Sequence, residues 1–127
     1  MEQQTGTKYK VIFHLDEPSK GRADQVLMNI TNLIDDLGDD NVEVELLANG
    51  GGVRSLAKES EGQAEQVRQA SLVEALAKRG VRFVACAHSL EHLKMQRTDL
   101  LDLVEVVPAG VSELVRKQRE GWAYIRP

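Results

Sequence analysis

Apolar positions along the chain follow two rhythms, one of period two and one of helical spacing, and they alternate from end to end. Tyr9 to Leu15 is a run of apolar, β-branched and aromatic residues bounded by Asp16, Pro18 and Gly21, which predicts a first strand. From Ser19, an N-cap residue type, Val26, Ile30, Leu33, Ile34 and Leu37 recur at helical spacing and stop before Gly38, predicting a helix of about 18 residues. Val42, Val44 and Leu46 alternate with Glu43 and Glu45, a strand with one wet face, which runs through Ala48 into the loop Asn49-Gly50-Gly51-Gly52. Arg54 to Gln66 is strongly polar, with only Leu56 and Ala57 hinting at a short helical turn. It reads as an exposed, mobile excursion beside the glycine loop that gates the nearby rim.

Val67, Ala70, Val73, Leu76 and Ala77 give a second helix closed by Gly80, and Val81 to Ala85 a short apolar strand capped by Cys86. Ser89 to Arg97 is compatible with a helix, and Val104 to Val107 with a fourth strand. Pro108 and Gly110 turn the chain into a helix carrying Val111, Leu114 and Val115 and ending around Arg116, Lys117, Arg119 and Gly121. Trp122 to Ile125 is a last short strand. Strands alternating with helices predict a three-layer α/β/α fold with a mostly parallel sheet of about five strands and helices on both faces. Tyr9 to Leu15 and Val81 to Ala85, the near-continuous apolar runs, are its interior strands. Residues 1–7 lack periodicity and read as a flexible N-terminus to a single domain over residues 8–127.

Composition narrows the partners. The chain has 127 residues, 42% hydrophobic and 28% charged, enough to bury one core. Sixteen Lys and Arg against twenty Asp and Glu leave a net charge of -4, the wrong sign for a surface that neutralises phosphates, so neither nucleic acid nor an anionic membrane is an expected partner. Two Phe, two Tyr and one Trp make no stacking platform for unpaired bases. No apolar run approaches the length of a membrane helix and the start lacks a secretory h-region, so a cytoplasmic location is expected. A single cysteine, Cys86, closes no intrachain disulfide and fits a reducing compartment.

In an open α/β sheet, ligands bind outside the carboxyl ends of the strands. Strand ends bring His14, Asp16 and Glu17, then Asn49 and the glycines, then Cys86, His88 and Ser89, then Pro108 to Gly110 to that rim. Cys86 is the sharpest candidate: a thiol between a strand end and a helix start faces unpaired N–H groups that favour thiolate, and His14 or His88 could pair with it. Such a thiol would be reactive and partly accessible. The competing reading is a small buried hydrophobe. The triple glycine lacks the Lys-Ser or Lys-Thr of a phosphate loop and the third glycine of a dinucleotide fingerprint; a tight turn or a small anion suits it better. Cys86 stands where a phospho-receiver needs a carboxylate, His92 where a cysteine phosphatase needs an arginine, and Cys86, His88, His92 and His14 are too scattered for a usual structural zinc site.

Several stretches together resemble the DsrE family. They are the strand ending in His14, Asn29 and Asn32 in the first helix, Ala48-Asn49-Gly50-Gly51-Gly52-Val53, and Phe83-Val84-Ala85-Cys86. The stretch from Val107-Pro108-Ala109-Gly110-Val111 through Gln118, Gly121, Trp122 and Tyr124 to Pro127 completes them. The resemblance runs from about Tyr9 to Pro127 and departs after the cysteine, where related chains often have a small residue, Asn and Thr and this one has Ala87, His88 and Ser89. It implies a DsrEFH-like fold and a sulfur-carrier or sulfurtransferase role in which Cys86 holds a persulfide. His14, Asn49, Gly50, Gly51, His88 and Ser89 would surround the thiol, with no cofactor and no metal. The partners it implies are sulfur donor and acceptor proteins and further copies of the chain, as a homotrimer or homohexamer. A non-catalytic oligomeric module binding a small anion or metal at the same rim is the alternative.

Overall fold

The computed structural model describes residues 8–58 and 64–127, with side chains over 8–58 and 68–127. Five strands, β1 Tyr9–Leu15, β2 Val42–Ala48, β3 Arg82–Cys86, β4 Glu105–Val107 and β5 Ala123–Ile125, alternate with four α-helices, α1 Lys20–Leu37, α2 Ala64–Lys78, α3 Ala87–His92 and α4 Gly110–Arg119. The strands form one all-parallel sheet in the order β4-β3-β2-β1-β5. β1 and β3, the two apolar runs, are interior as expected.

That order fixes which face each helix covers. Parallel crossovers are right-handed, so the steps β1 to β2 to β3 to β4, all in one direction, put α1, α2 and α3 on the same face, and the return from β4 to β5 puts α4 on the other. The cores agree. Val11, Phe13, Leu46 and Phe83 pack under Val26, Ile30 and Ile34 of α1, Val73 and Leu76 of α2 and Leu90 of α3. Ile12, Leu47 and Val84, from the alternate positions of the same strands, meet Leu114 of α4 and Trp122. The third layer is therefore a single helix, and its outward side leaves Val111 and Val115 64% and 60% exposed.

The excursion expected from Arg54 to Gln66 is in large part ordered structure. A 3₁₀ segment spans Gly50–Leu56 and buries Val53 and Leu56, Ala57 bridges Leu100, and α2 begins at Ala64 instead of near Val67. Two apolar side chains at the end of the glycine run give that segment a core to dock on, which its polar neighbours mask in the sequence. Residues 59–63, the middle of the stretch whose mobility was expected from Arg54 to Gln66, lie outside the described residues. Gly52 shows how tightly the segment is seated: a Cβ there would lie 2.1 Å from the Leu15 carbonyl oxygen. The third helix stops at His92, five residues before Arg97, because the chain reverses through Lys94 at φ 60°.

The wet face expected of β2 is also corrected. Glu45 is fully buried beneath α4 and bonded to Arg82 at 3.0 Å, with Lys117 at 3.6 Å. Glu43 at the start of the strand is exposed as expected, but the same face at Glu45 is roofed by α4, whose basic last turn adds Lys117 to the bond from Arg82 of β3. Among the described residues no helix is long and apolar enough to cross a membrane.

Candidate functional site

Alternation along the strands sends His14, Asn49 and Cys86 to the face covered by α4, since their neighbours Phe13, Ala48 and Ala85 belong to the opposite core. Cys86 also occupies a topological position. The connection leaving β3 goes to one face and the one leaving the adjacent β4 to the other, so the crevice between them is the switch point at which open sheets bind ligands. Gly110, the first residue of α4, forms the far wall of that crevice. A Cβ there would lie 3.1 Å from the Cys86 Cβ, 3.1 Å from the Leu47 Cδ1 and 3.3 Å from the Asn49 Cβ, so any larger residue would have to push these neighbours back by a few tenths of an ångström, and glycine lets α4 start closest to the thiol.

The thiol is 5% exposed, more buried than the partly accessible group expected from the sequence. Burial is the largest influence on its proton and pushes the pKa up. The Ser89 hydroxyl and the amides of Gly110, Ser89 and His88 act the other way and together outweigh burial, leaving the thiol more acidic than an ordinary cysteine. Cys86 occupies the N-cap position of α3 without making a regular capping hydrogen bond, so these donors act as weak polarising contacts around sulfur. Ser89 is oriented for this. Its Oγ accepts from the Gly50 N–H at 2.7 Å, which leaves the hydroxyl hydrogen free for the sulfur.

His14 is held at both nitrogens. Its Nε2 lies 2.8 Å from the Asn49 Oδ1 and its Nδ1 2.6 Å from the Tyr124 hydroxyl. An amide oxygen only accepts, so in the neutral ring the proton sits on Nε2 and Nδ1 accepts from tyrosine. His14 therefore joins the site through Asn49 and leaves neither nitrogen for the sulfur. The C-terminal segment that brings Tyr124 is itself latched across the rim: Arg126 grips Asp16 with bonds of 3.0 and 3.1 Å, and Arg22 donates to the Pro127 carbonyl.

Of the residues singled out from sequence, Ser89 meets Cys86, Asn49 meets His14, and Gly50 acts through Ser89. Gly51 packs against the Pro18 ring, and the His88 side chain is exposed, so His88 contributes its amide and not its imidazole. The sequence brings Gly110 to the rim without showing its role at the thiol, and does not mark Tyr124 as a site residue. Their signal was positional: the first needed the switch point, the second the pairing of β5 with β1, in which Tyr124 stands beside Ile12 on the face of His14. Among the described residues no three His, Cys, Asp or Glu side chains converge as a metal site.

Comparison with known proteins agrees with this architecture. No curated protein matches the chain. Among solved structures, that of MTH1491 from Methanobacterium thermoautotrophicum, described as a protein of unknown function, is 41% identical, with a TM-score of 0.84, over 94% of this chain and 100% of that one. The ychN protein from E. coli shares the fold at 16% identity and a TM-score of 0.76, over 94% and 99% of the two chains. The model of the DsrE/DsrF-like family matches residues 9–127, which takes in every strand and helix described above, and the chain belongs to that family.

Proposed function

We propose that the protein is a sulfur carrier in which Cys86 accepts sulfane sulfur as a persulfide and passes it to a protein partner. The observation that carries the reading is the set of four donors around a lone thiol at the switch point, which outweighs the cost of its burial. An inert core cysteine has no use for such surroundings.

The chemistry is a pair of displacements. The Cys86 thiolate attacks the outer sulfur of a sulfane donor; the Sγ–S bond forms as the donor's S–S bond breaks, and the electron pair leaves with the donor as thiolate or sulfite. A thiolate of the acceptor then attacks the outer sulfur, and Cys86 departs as thiolate with no net oxidation. The donors that stabilise Cys86 as nucleophile also stabilise it as leaving group. Gly110 is the thinnest wall any residue could supply beside the sulfur. The carrier acts with donor and acceptor proteins in the cytoplasm, where a single unpaired thiol stays reduced. Self-association to a trimer or hexamer is part of the proposal, supported by the uncovered apolar side of α4.

Mass spectrometry tests both parts. After incubation with thiosulfate, polysulfide or a persulfide donor, the denatured chain should gain about 32 Da per sulfur, and Cys86→Ser should gain none while staying folded. Native spectra should show multiples of the 14.1 kDa chain. A wild type that no sulfane donor modifies, and that alkylates no faster folded than denatured, sinks the carrier in favour of a binding module at the same rim.

A further inference from the structure

Of the ten residues of α4, the buried ones are Gly110, Glu113 and Leu114. Leu114 is the apolar anchor that holds the helix to the sheet, Gly110 walls the thiol crevice, and Glu113 stands one turn further on. Beneath it lies Glu45 of β2, fully buried, with the Glu113 carboxyl in hydrogen-bonding reach. A roof fastened by one leucine and a carboxyl pair answers to the charge of that pair. The crevice needs such a response, because a thiol 5% exposed meets no partner until its wall moves.

The surroundings make the pair a holder of a proton. Glu45 Oε1 takes a bond from Arg82 of β3 at 3.0 Å and has the Lys117 ammonium at 3.6 Å, while Oε2, shut off from solvent, has no hydrogen-bond partner. Two carboxyls in contact at a dry site are satisfied by a proton between them, since ionised oxygens only accept. The cations are divided among other groups. Arg82 gives its remaining fork to Glu105 of β4 at 2.8 and 3.0 Å, Lys117 lies 4.5 Å from the centre of the Trp122 ring, and Arg116 reaches Glu113 at 3.6 Å from an exposed position. On β1, Ile12 is the neighbour of Glu45 and Lys10 that of the exposed Glu43; beyond it, Tyr124 of β5 is engaged with His14.

We propose that the Glu45–Glu113 pair is a pH-sensitive latch: while the carboxyls share a proton, α4 stays clamped on the sheet and the Cys86 crevice is closed, and loss of that proton drives the carboxylates apart and lifts Gly110 from the thiol. The proton passes to solvent base, and no bond between heavier atoms changes. Repulsion between two buried like charges supplies the force, and a helix with a single apolar anchor yields to it as a local opening while the sheet stays folded. The lifted state presents sulfur to the thiolate of an acceptor, which is itself more abundant as pH rises. That consequence rests on the sulfur-carrier reading; the opening of the helix does not.

Trp122, the single tryptophan of the chain, is buried in the core that Leu114 of α4 shares and reports the latch directly. Acrylamide quenching of its fluorescence should rise at least about threefold between roughly pH 6.5 and 9.5 at unchanged far-ultraviolet circular dichroism. The midpoint should fall near pH 8, where burial and the Glu113 carboxyl put the Glu45 proton. Glu45→Gln and Glu113→Gln should each keep the low value throughout, and Glu43→Gln, at the exposed end of the same strand face, should keep the step. Near pH 9 the folded wild type should alkylate at Cys86 at least about fivefold faster than Glu45→Gln, against less than about twofold near pH 6.5. Flat quenching in wild type, a step that survives in both Gln variants or vanishes in Glu43→Gln, or a step that coincides with loss of the whole dichroism signal overturns the latch. Cys86→Ser should show the same quenching step, so a chain that takes up no sulfur leaves the latch standing, and a Trp122 that stays shielded leaves the carrier.

Discussion

Ser89 is the residue on which the character of Cys86 turns, because it is the largest of the influences that oppose burial. Removing its hydroxyl leaves a buried thiol with amide donors alone, and the pKa must move up. Ser89→Ala should therefore alkylate roughly two- to tenfold more slowly near neutral pH, the equivalent of one net hydrogen bond of about 0.5–1.5 kcal/mol. The pH–rate profile should move to higher pH, the rate in denaturant should stay unchanged, and Ser89→Thr should restore most of the loss. Equal profiles for Ser89→Ala and wild type would remove serine from the site. The rim group was legible in the sequence because strand ends announce themselves through turn residues. What hid was direction. His88 looked like a partner by its imidazole and acts by its amide, and His14 looked available until Tyr124, 110 residues away, took its second nitrogen. Backbone orientation and long-range pairing leave no mark at one position.

Elements were read best where periodicity was strong and worst where the chain docks on few contacts. β1, β2 and α1 stand at the limits their patterns predict, whereas the segment after the glycines looked like an excursion because only Val53 and Leu56 bury anything. A three-glycine run is uninformative about which glycine is needed, and geometry answers that. Gly52 has no room for a Cβ against the Leu15 backbone, so Gly52→Ala forces β1 and the 3₁₀ segment apart. That variant should lose at least about 3 kcal/mol, read as a lower urea midpoint at unchanged slope. A loss below about 0.5 kcal/mol would mean the segment moves freely and is not seated on β1. The same seat positions the thiol site, since Gly50 at its start orients Ser89. Face assignment needed the strand order, which no local pattern contains; given the order, handedness placed α4 alone over the thiol.

At the scale of the whole molecule, that lone helix roofs a charge cluster whose titration should shape stability. Glu45 is fully buried and its Oε2 has no other hydrogen-bond partner. Burial, followed by the neighbouring Glu113 carboxyl, pushes its pKa up to about 8 despite the pull of Arg82 and Lys117. A proton between the two carboxyls supplies the missing partner. An unfolded glutamate titrates near 4.5, so between that value and about 8 the folded state holds a proton the unfolded state has released. Stability from this group is complete below the window and falls as pH rises through it. Asp16, bonded to Arg126, and Glu105, bonded to Arg82, have lowered pKa values and act oppositely, losing their contribution as pH falls through the acid range. Together these set a stability maximum on the acid side of neutrality. Glu45→Gln keeps an oxygen for Arg82 and removes the titration. Denaturant titrations should find the two proteins within about 0.5 kcal/mol at pH 5 and the variant more stable at pH 8.5. The gap there should be on the order of 2 kcal/mol once screening by the half-exposed Arg82 is allowed for. Parallel stability curves across that range would mean that Glu45 is ionised in the fold, with Arg82 and Lys117 outweighing its burial.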